Sequence, residues 1–316
     1  MIKNKKVNYR QTILGFGLLS MVWTAHADVL VILPETGPLA RASSSIKLGI
    51  STAYQAMGAK TVLKFVNTDQ KTMSAVLKQN VNKQTQMIIG PLARQDVEEI
   101  IKLAPKVPVL ALNEVAIKHP NVMQFSLSKN DDAAALIDAM QNDQVAKLYI
   151  FQQAETAQEN KAFFNAVSEQ FKGQIELVNN VPAKMVKSEG LLLLGNYAWI
   201  RQIKKLPVRN LYMQALAVED SQPLPKGIKF CDVPSLYIAD WKDVLIAYQQ
   251  NPTPMAYQRL YAFGGDAWQI TQSYLEKSKQ TTIDFNGRTG KIHIENNRVD
   301  RQPICFVSNG KGLAVT

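Results

Sequence analysis

Two cysteines and three histidines are all that this 316-residue chain offers as thiol nucleophiles, imidazole bases or soft metal ligands. Beyond the first 27 residues only His119 and His293 remain, far apart and without a His-x-x-x-His or Cys-x-x-Cys companion. A metal site of the usual spacing is therefore unsupported. There is no Gly-x-Ser-x-Gly elbow and no phosphate-binding loop; Gly287-Arg288-Thr289-Gly290-Lys291 has the wrong spacing and belongs to a hairpin. A serine or cysteine nucleophile would lack a positioned base. These absences argue against an enzyme, and no cofactor or metal is expected. Each histidine reads as a surface or strand residue.

Long hydrophobic runs are equally scarce. The one near the N-terminus, Ile13 to Trp23, is too short to span a bilayer. It follows Lys3, Lys5, Lys6 and Arg10 and precedes Ala25-His26-Ala27, a small-x-small cleavage pattern. Residues 1–27 thus read as a cleaved secretory signal. No cysteine lies near that site, so there is no lipobox, and a soluble mature protein without a transmembrane anchor is expected. Losing four basic and no acidic residues takes the formal charge from +10 to +6. The remaining positive charge is scattered in short clusters such as Lys204-Lys205, so no nucleic-acid partner is expected. A mildly basic surface suits anionic neighbours such as cell-wall polymers or phospholipid headgroups. Ordinary solubility explains it as well.

Cys231 and Cys305 are the whole cysteine inventory. In an oxidising export compartment such a pair can form a disulfide closing a long loop. Two separate buried thiols are the alternative.

What the chain does have is an α/β cadence, clearest from Met87 to Ser126. Met87-Ile88-Ile89 stops at Gly90-Pro91; Val97, Ile100, Ile101 and Ala104 recur at helical spacing; Val107 to Leu112 runs into Asn113. Continuous apolar strands separated by an amphipathic helix predict a parallel sheet covered on both faces. Ligands meet such sheets at the carboxyl ends of the strands, which makes Gly90, Pro91, Asn113 and Glu114 candidate cleft residues. Val29 to Leu33 is a similar strand, and the turn after it adds Glu35, Thr36 and Gly37. One pentapeptide occurs twice, at 37–41 and 90–94, and predicts the same strand-to-helix turn used twice. Arg41 and Arg94 close the two copies; each reads either as a bidentate carboxylate clamp or as a solvated first-turn residue.

A second block opens with a helix capped by Ser128 or Asn130, with Asp131 and Asp132 in its first turn. Strands are expected at 148–151, 175–178, 191–194 and 211–213, with a helix at 162–171. Prolines at 223, 225 and 234 mark a connection, helices follow at 241–249 and 254–275, and the last forty or so residues turn to β. After the signal at 1–27, the expected division is a first lobe at 28–126, a second at 127–238, a return to the first at 239–296 and C-terminal strands of the second at 297–316.

These motifs in order resemble the type I periplasmic-binding-protein fold, and within it the C-terminal domain of the LpoA/YraM family of penicillin-binding-protein activators. The resemblance rests on Leu33-Pro34 with Gly37-Pro38-Leu39-Ala40, Ile88 to Leu92, Pro108 to Asn113, and Phe125 to Ser128 before the Asp131-Asp132 helix. It continues through Arg259 to Trp268 and the closing hairpin Asn286 to Ile292. It implies a two-lobed α/β fold, each lobe a mostly parallel sheet flanked by helices. It also implies a non-enzymatic periplasmic regulator of peptidoglycan synthesis that binds and activates a class A penicillin-binding protein, with peptidoglycan as a second candidate partner. Full-length family members are outer-membrane lipoproteins with an N-terminal helical-repeat domain; the resemblance here is to their C-terminal domain. A periplasmic solute-binding protein for an amino acid or small peptide is the alternative. Asp266 joins the cleft candidates, or else caps or pairs at a helix start, while Trp268 is expected to pack in the first lobe.

Overall fold

The structure, a computed structural model, describes residues 28–276 and 282–316; the expected signal at 1–27 lies outside the described residues. The first lobe begins with β1 (Asp28–Leu33), α1 (Ala40–Ala56), β2 (Val62–Asn67), α2 (Met73–Asn80), β3 (Thr85–Ile89), α3 (Arg94–Lys102), β4 (Val109–Ala111) and β5 (Val122–Gln124). The strands form one parallel sheet in the order β2-β1-β3-β4-β5. Every residue of β1 is buried, as a strand covered on both faces requires. Val29, Val31 and Leu33 point to one face and meet Ile46 and Ile50 of α1. Leu30 and Ile32 point to the other and meet Val76 of α2 and Val97 and Ile100 of α3. Helix α3 stops two residues before the expected Ala104, which sits at φ 47°. Pro105 follows, and its ring disfavours the α region at the preceding residue.

The second lobe contains α4 (Lys129–Asn142), β6 (Lys147–Gln152), α5 (Ala157–Gln170), β7 (Gln174–Val178), β8 (Glu189–Leu194), α6 (Tyr197–Gln202), β9 (Leu211–Met213) and β10 (Ile228–Asp232). Ser128, rather than Asn130, caps α4, its hydroxyl accepting the Asn130 N–H at 3.1 Å. The chain then returns to the first lobe as α7 (Lys242–Gln250) and α8 (Met255–Glu276), followed by a three-stranded antiparallel sheet of β11 (Thr282–Gly287), β12 (Gly290–Glu295) and β13 (Arg298–Gln302). Ile283, Ile292, Ile294 and Val299 of this sheet join the first lobe's core, as do Phe263 and Trp268 of α8. Finally β14 (Ile304–Ser308) and β15 (Leu313–Val315) complete a seven-stranded sheet, ordered β15-β14-β10-β9-β8-β6-β7.

Three expectations shift. The division after residue 296 falls inside the β12–β13 hairpin, where Glu295 pairs with Arg298, so the chain changes lobes at Pro303. Helix α5 begins at Ala157, five residues earlier than expected. The repeated pentapeptide makes two different turns: only Gly90–Pro91 is cis, and α1 starts at the fourth residue of its copy while α3 starts at the fifth. Burial separates them. Gly37 is exposed with open space about it, whereas a Cβ on Gly90 would lie 2.2 Å from the Ile32 carbonyl oxygen.

Cys231 and Cys305 are directly paired residues of antiparallel β10 and β14, and a disulfide joins them. It fixes the last excursion of the chain to the second lobe's sheet.

Helices α1 and α8 touch backbone to backbone. A Cβ on Gly49 would lie 2.1 Å from the Tyr261 carbonyl oxygen, and one on Gly264 would lie 2.2 Å from that of Ile46. Tyr54 and Trp268 then meet edge-on, with centroids 5.1 Å apart. Gly264→Ala is therefore expected to force the helices apart and destabilise the fold by about 1–3 kcal/mol, read as a lowered midpoint in urea denaturation. An unchanged midpoint would contradict the close approach.

Candidate functional site

Strands β1, β3 and β4 are neighbours, so the loops at their carboxyl ends lie side by side. Hydrogen bonds knit two of these loops together. Leu112 N–H donates to the Pro91 carbonyl at 2.9 Å, and the Asn113 side-chain amide donates to the Leu92 carbonyl at 3.0 Å. The Asn113 Oδ1 accepts the Glu114 N–H at 2.9 Å. Gly90, Pro91 and Asn113 are thus brought together, with the polar groups of Asn113 facing its own loops.

Glu35 and Thr36 sit on the neighbouring loop, exposed to solvent. Glu35 pairs with Lys47 at 3.2 Å, and its N–H donates to Asp69 Oδ2. Burial works to raise the Asp69 carboxyl, but the Thr36 hydroxyl, the Glu35 N–H and Asn67 outweigh it and leave the pKa below the ordinary value. Arg94 is the exposed first residue of α3, and among the described residues it makes no salt bridge. Arg41 is also exposed; its guanidinium stacks 4.0 Å above the Tyr257 ring.

Asp266 departs from the expectation of a cleft residue. It is 0% exposed in the middle of α8. Its Oδ1 accepts the Arg288 N–H and its Oδ2 accepts the Thr289 N–H, both at 2.7 Å, with the Thr289 hydroxyl at 2.6 Å. Burial raises its pKa, opposed by Arg288 and these donors. It anchors the β11–β12 turn to α8 and presents nothing to a ligand.

Three buried arginines, not singled out in the sequence, organise this region: Arg259 and Arg301 bridge the lobes, and Arg288 ties elements within the first. Arg259 of α8 reaches Asp232, the last residue of β10, through two bonds of 2.8 and 2.6 Å, and donates to the Ala215 carbonyl at 3.0 Å. Tyr237 donates to the same carboxylate at 2.6 Å. Burial and the Asp232 charge hold the Tyr237 hydroxyl well above its ordinary pKa. Arg288 pairs with Asp243 of α7 at 2.6 Å and bonds Gln269 at 2.7 Å. Arg301 of β13 crosses to α4, bonding Asp132 at 2.6 Å and approaching Asp131 at 3.5 Å. One signal was legible: Arg259 and Asp266 stand seven residues apart in an otherwise apolar helical run, which places both on one face.

Glu114, partly buried on its strand-end loop, bears on this cluster through its charge. Burial pushes the Asp131 carboxyl up to about 7; Arg301 opposes that, while Glu114, Asp132 and Asp300 add to it. His119 accepts the Asn121 N–H at 3.1 Å, and His293 lies on β12 beside Asp284 at 2.7 Å. Among the described residues no three His, Cys, Asp or Glu side chains are grouped so as to hold a metal ion. No helix among them is long and apolar enough to cross a membrane.

A family model, that of the LppC lipoproteins, matches residues 14–183, more than half of the sequence. The chain belongs to the LppC family. Among individual relatives, the penicillin-binding protein activator LpoA of Haemophilus ducreyi is 22% identical over 90% of this chain and 52% of its own length. The chain thus spans about half the length of the curated relatives it matches. The LpoA (YraM) C-domain of Haemophilus influenzae, described as a regulator of PBP1A, superimposes with a TM-score of 0.74 at 19% identity, covering 92% of this chain and 100% of that one. A Chromobacterium violaceum protein described as a branched-chain amino acid ABC transporter gives 0.67 at 22% identity, covering 89% and 99%. The fold is thus the two-lobed, type I periplasmic-binding-protein-like one, and an LppC lipoprotein family with activators of penicillin-binding proteins among its relatives is one of the cell envelope.

In this LppC protein the Asp232–Arg259 pair and the Asp131 cluster each make a measurable statement. Arg259→Met leaves the Asp232 carboxylate buried and unpaired and is expected to cost about 3–5 kcal/mol in chemical denaturation. Adding Asp232→Asn to it should recover part of the loss; equal losses for single and double variants would contradict the pairing. The folded state binds the Asp131 proton more tightly than the unfolded chain, so this group's contribution to stability falls as pH rises from about 4 to about 7. Asp131→Asn should flatten the melting temperature over that window, and a slope identical to that of the parent would refute the assignment.

Proposed function

We propose that the protein is a non-enzymatic periplasmic regulator of peptidoglycan synthesis that binds a class A penicillin-binding protein and raises its activity. The observation that carries this reading is the extent of the match: similarity to penicillin-binding protein activators runs along 90% or more of the chain for several relatives. The geometry of the strand ends supports it. A small-molecule site needs unsatisfied polar groups converging on a cavity, and here Asn113, Asp232 and Asp266 are engaged by the protein's own donors and acceptors.

The protein without residues 1–27, purified and immobilised, should retain a class A penicillin-binding protein and increase its rate of glycan polymerisation. Release of a tightly held amino acid on denaturation, with no synthase retained, would replace this reading by that of a solute-binding protein.

A further inference from the structure

The crossover from β7 to β8 passes over β6 without a helix; residues 179–188 are irregular. Parallel crossovers are usually helical, and the helix covers one face of the sheet. On one face of this sheet α4 and α5 perform that role over Leu148 and Ile150. On the other face the six-residue α6 with its flanking loops lies near β6, and Tyr149 and Phe151 stay partly buried. The space is a groove of about 1050 Å³ between the loops 180–187 and 202–209, at the upper limit of the usual size for a small-molecule pocket.

The floor of the groove is Phe151 and Trp199, whose ring centroids lie 4.7 Å apart. Its rims carry Val186, 63% exposed, and Val208, 88% exposed. Lys187, Lys204, Lys205 and Arg209 surround it, and among the described residues none of them makes a salt bridge. The acidic lining residue, Glu189, is already held by the Tyr149 hydroxyl at 3.0 Å and the Val186 N–H at 2.8 Å. An apolar floor ringed by unpaired cations complements an apolar ligand that also carries negative charge. Exposed valines give nothing to the hydroxyls of a sugar and gain only from being covered by other apolar groups. That favours a polypeptide over an anionic glycan.

We infer that this groove docks an acidic amphipathic helix of a protein partner, in the place where a crossover helix would otherwise cover the sheet. The apolar side of the helix lies on Phe151 and Trp199, and its carboxylates face Lys204, Lys205 and Arg209. This rests on the proposed function only for the partner's identity, the synthase.

Two measurements test it, each on the protein without residues 1–27 and on the variant Lys204→Glu, Lys205→Glu, Arg209→Glu, with unchanged circular dichroism and melting temperature checked first. A synthetic helix of about 20 residues, leucine on one face and glutamate on the other, is titrated into isotope-labelled protein and followed by NMR. Saturable shifts confined to residues 151, 181–187 and 199–209, weakened roughly tenfold or more by the charge reversal, are expected. Absence of shifts there, or shifts elsewhere, overturns the inference, as does selective binding of peptidoglycan fragments at the same residues. In parallel, affinity for a class A penicillin-binding protein should fall roughly tenfold in the variant. Full retention overturns the groove and leaves the proposed function standing. Should the parent itself fail to bind the synthase, the proposed function falls, and the peptide titration alone decides the groove.

Discussion

The bidentate pair between Arg259 and Asp232 is the contact on which the arrangement of the two lobes depends. Arg259 rises from α8, which packs into the first lobe's core, while Asp232 ends β10 of the second lobe's sheet. Both are buried, at 8% and 4% exposure, and a charge left alone there would carry a large desolvation penalty. The carboxylate is fully engaged by Arg259, Tyr237 and the Val233 N–H. Arg301 repeats the principle at a second place, bridging the β13 end of the first lobe to the start of α4. In both cases the first lobe supplies the cation and the second the acid, so relative displacement of the lobes means stripping a buried charge of its partners.

Those contacts also bear on what the carboxyl edges of the sheets can do. In solute-binding proteins with this architecture that edge is the place for a ligand. Here Asp232, the Ala215 carbonyl and Asn113 are turned to neighbouring groups of the same chain. Likeness of fold therefore does not carry over to likeness of site. A separate surface with room for a partner lies on the second lobe's sheet, where the crossover lacks its helix.

Much of the local structure was legible in the amino-acid order. The apolar run Val29 to Leu33, the Val97, Ile100, Ile101 stripe and the turn residues Gly287 and Gly290 report strand, helix and hairpin through side-chain periodicity and backbone freedom, which are local properties. The strand-end positions of Gly90, Pro91 and Asn113 followed from the same reasoning. Asp266 did not, because a carboxylate near a turn and a carboxylate holding a turn 22 residues away have the same local sequence. The lobe boundary at Pro303 was missed for a similar reason. With Val299 as its one apolar residue, β13 carries no apolar pattern that assigns it to a lobe, and only pairing with β12 decides which sheet it joins.

The order of residues by itself determined the α/β alternation and the scarcity of catalytic groups, since each depends on residue type and spacing along the chain. Tertiary structure alone decided that Cys231 faces Cys305, that Arg259 finds Asp232, and that the two copies of Gly-Pro-Leu-Ala-Arg turn differently. Each of these depends on which distant segment supplies the neighbouring surface. Burial against that surface sets whether a charge must be paired and whether a turn has room for any side chain at all.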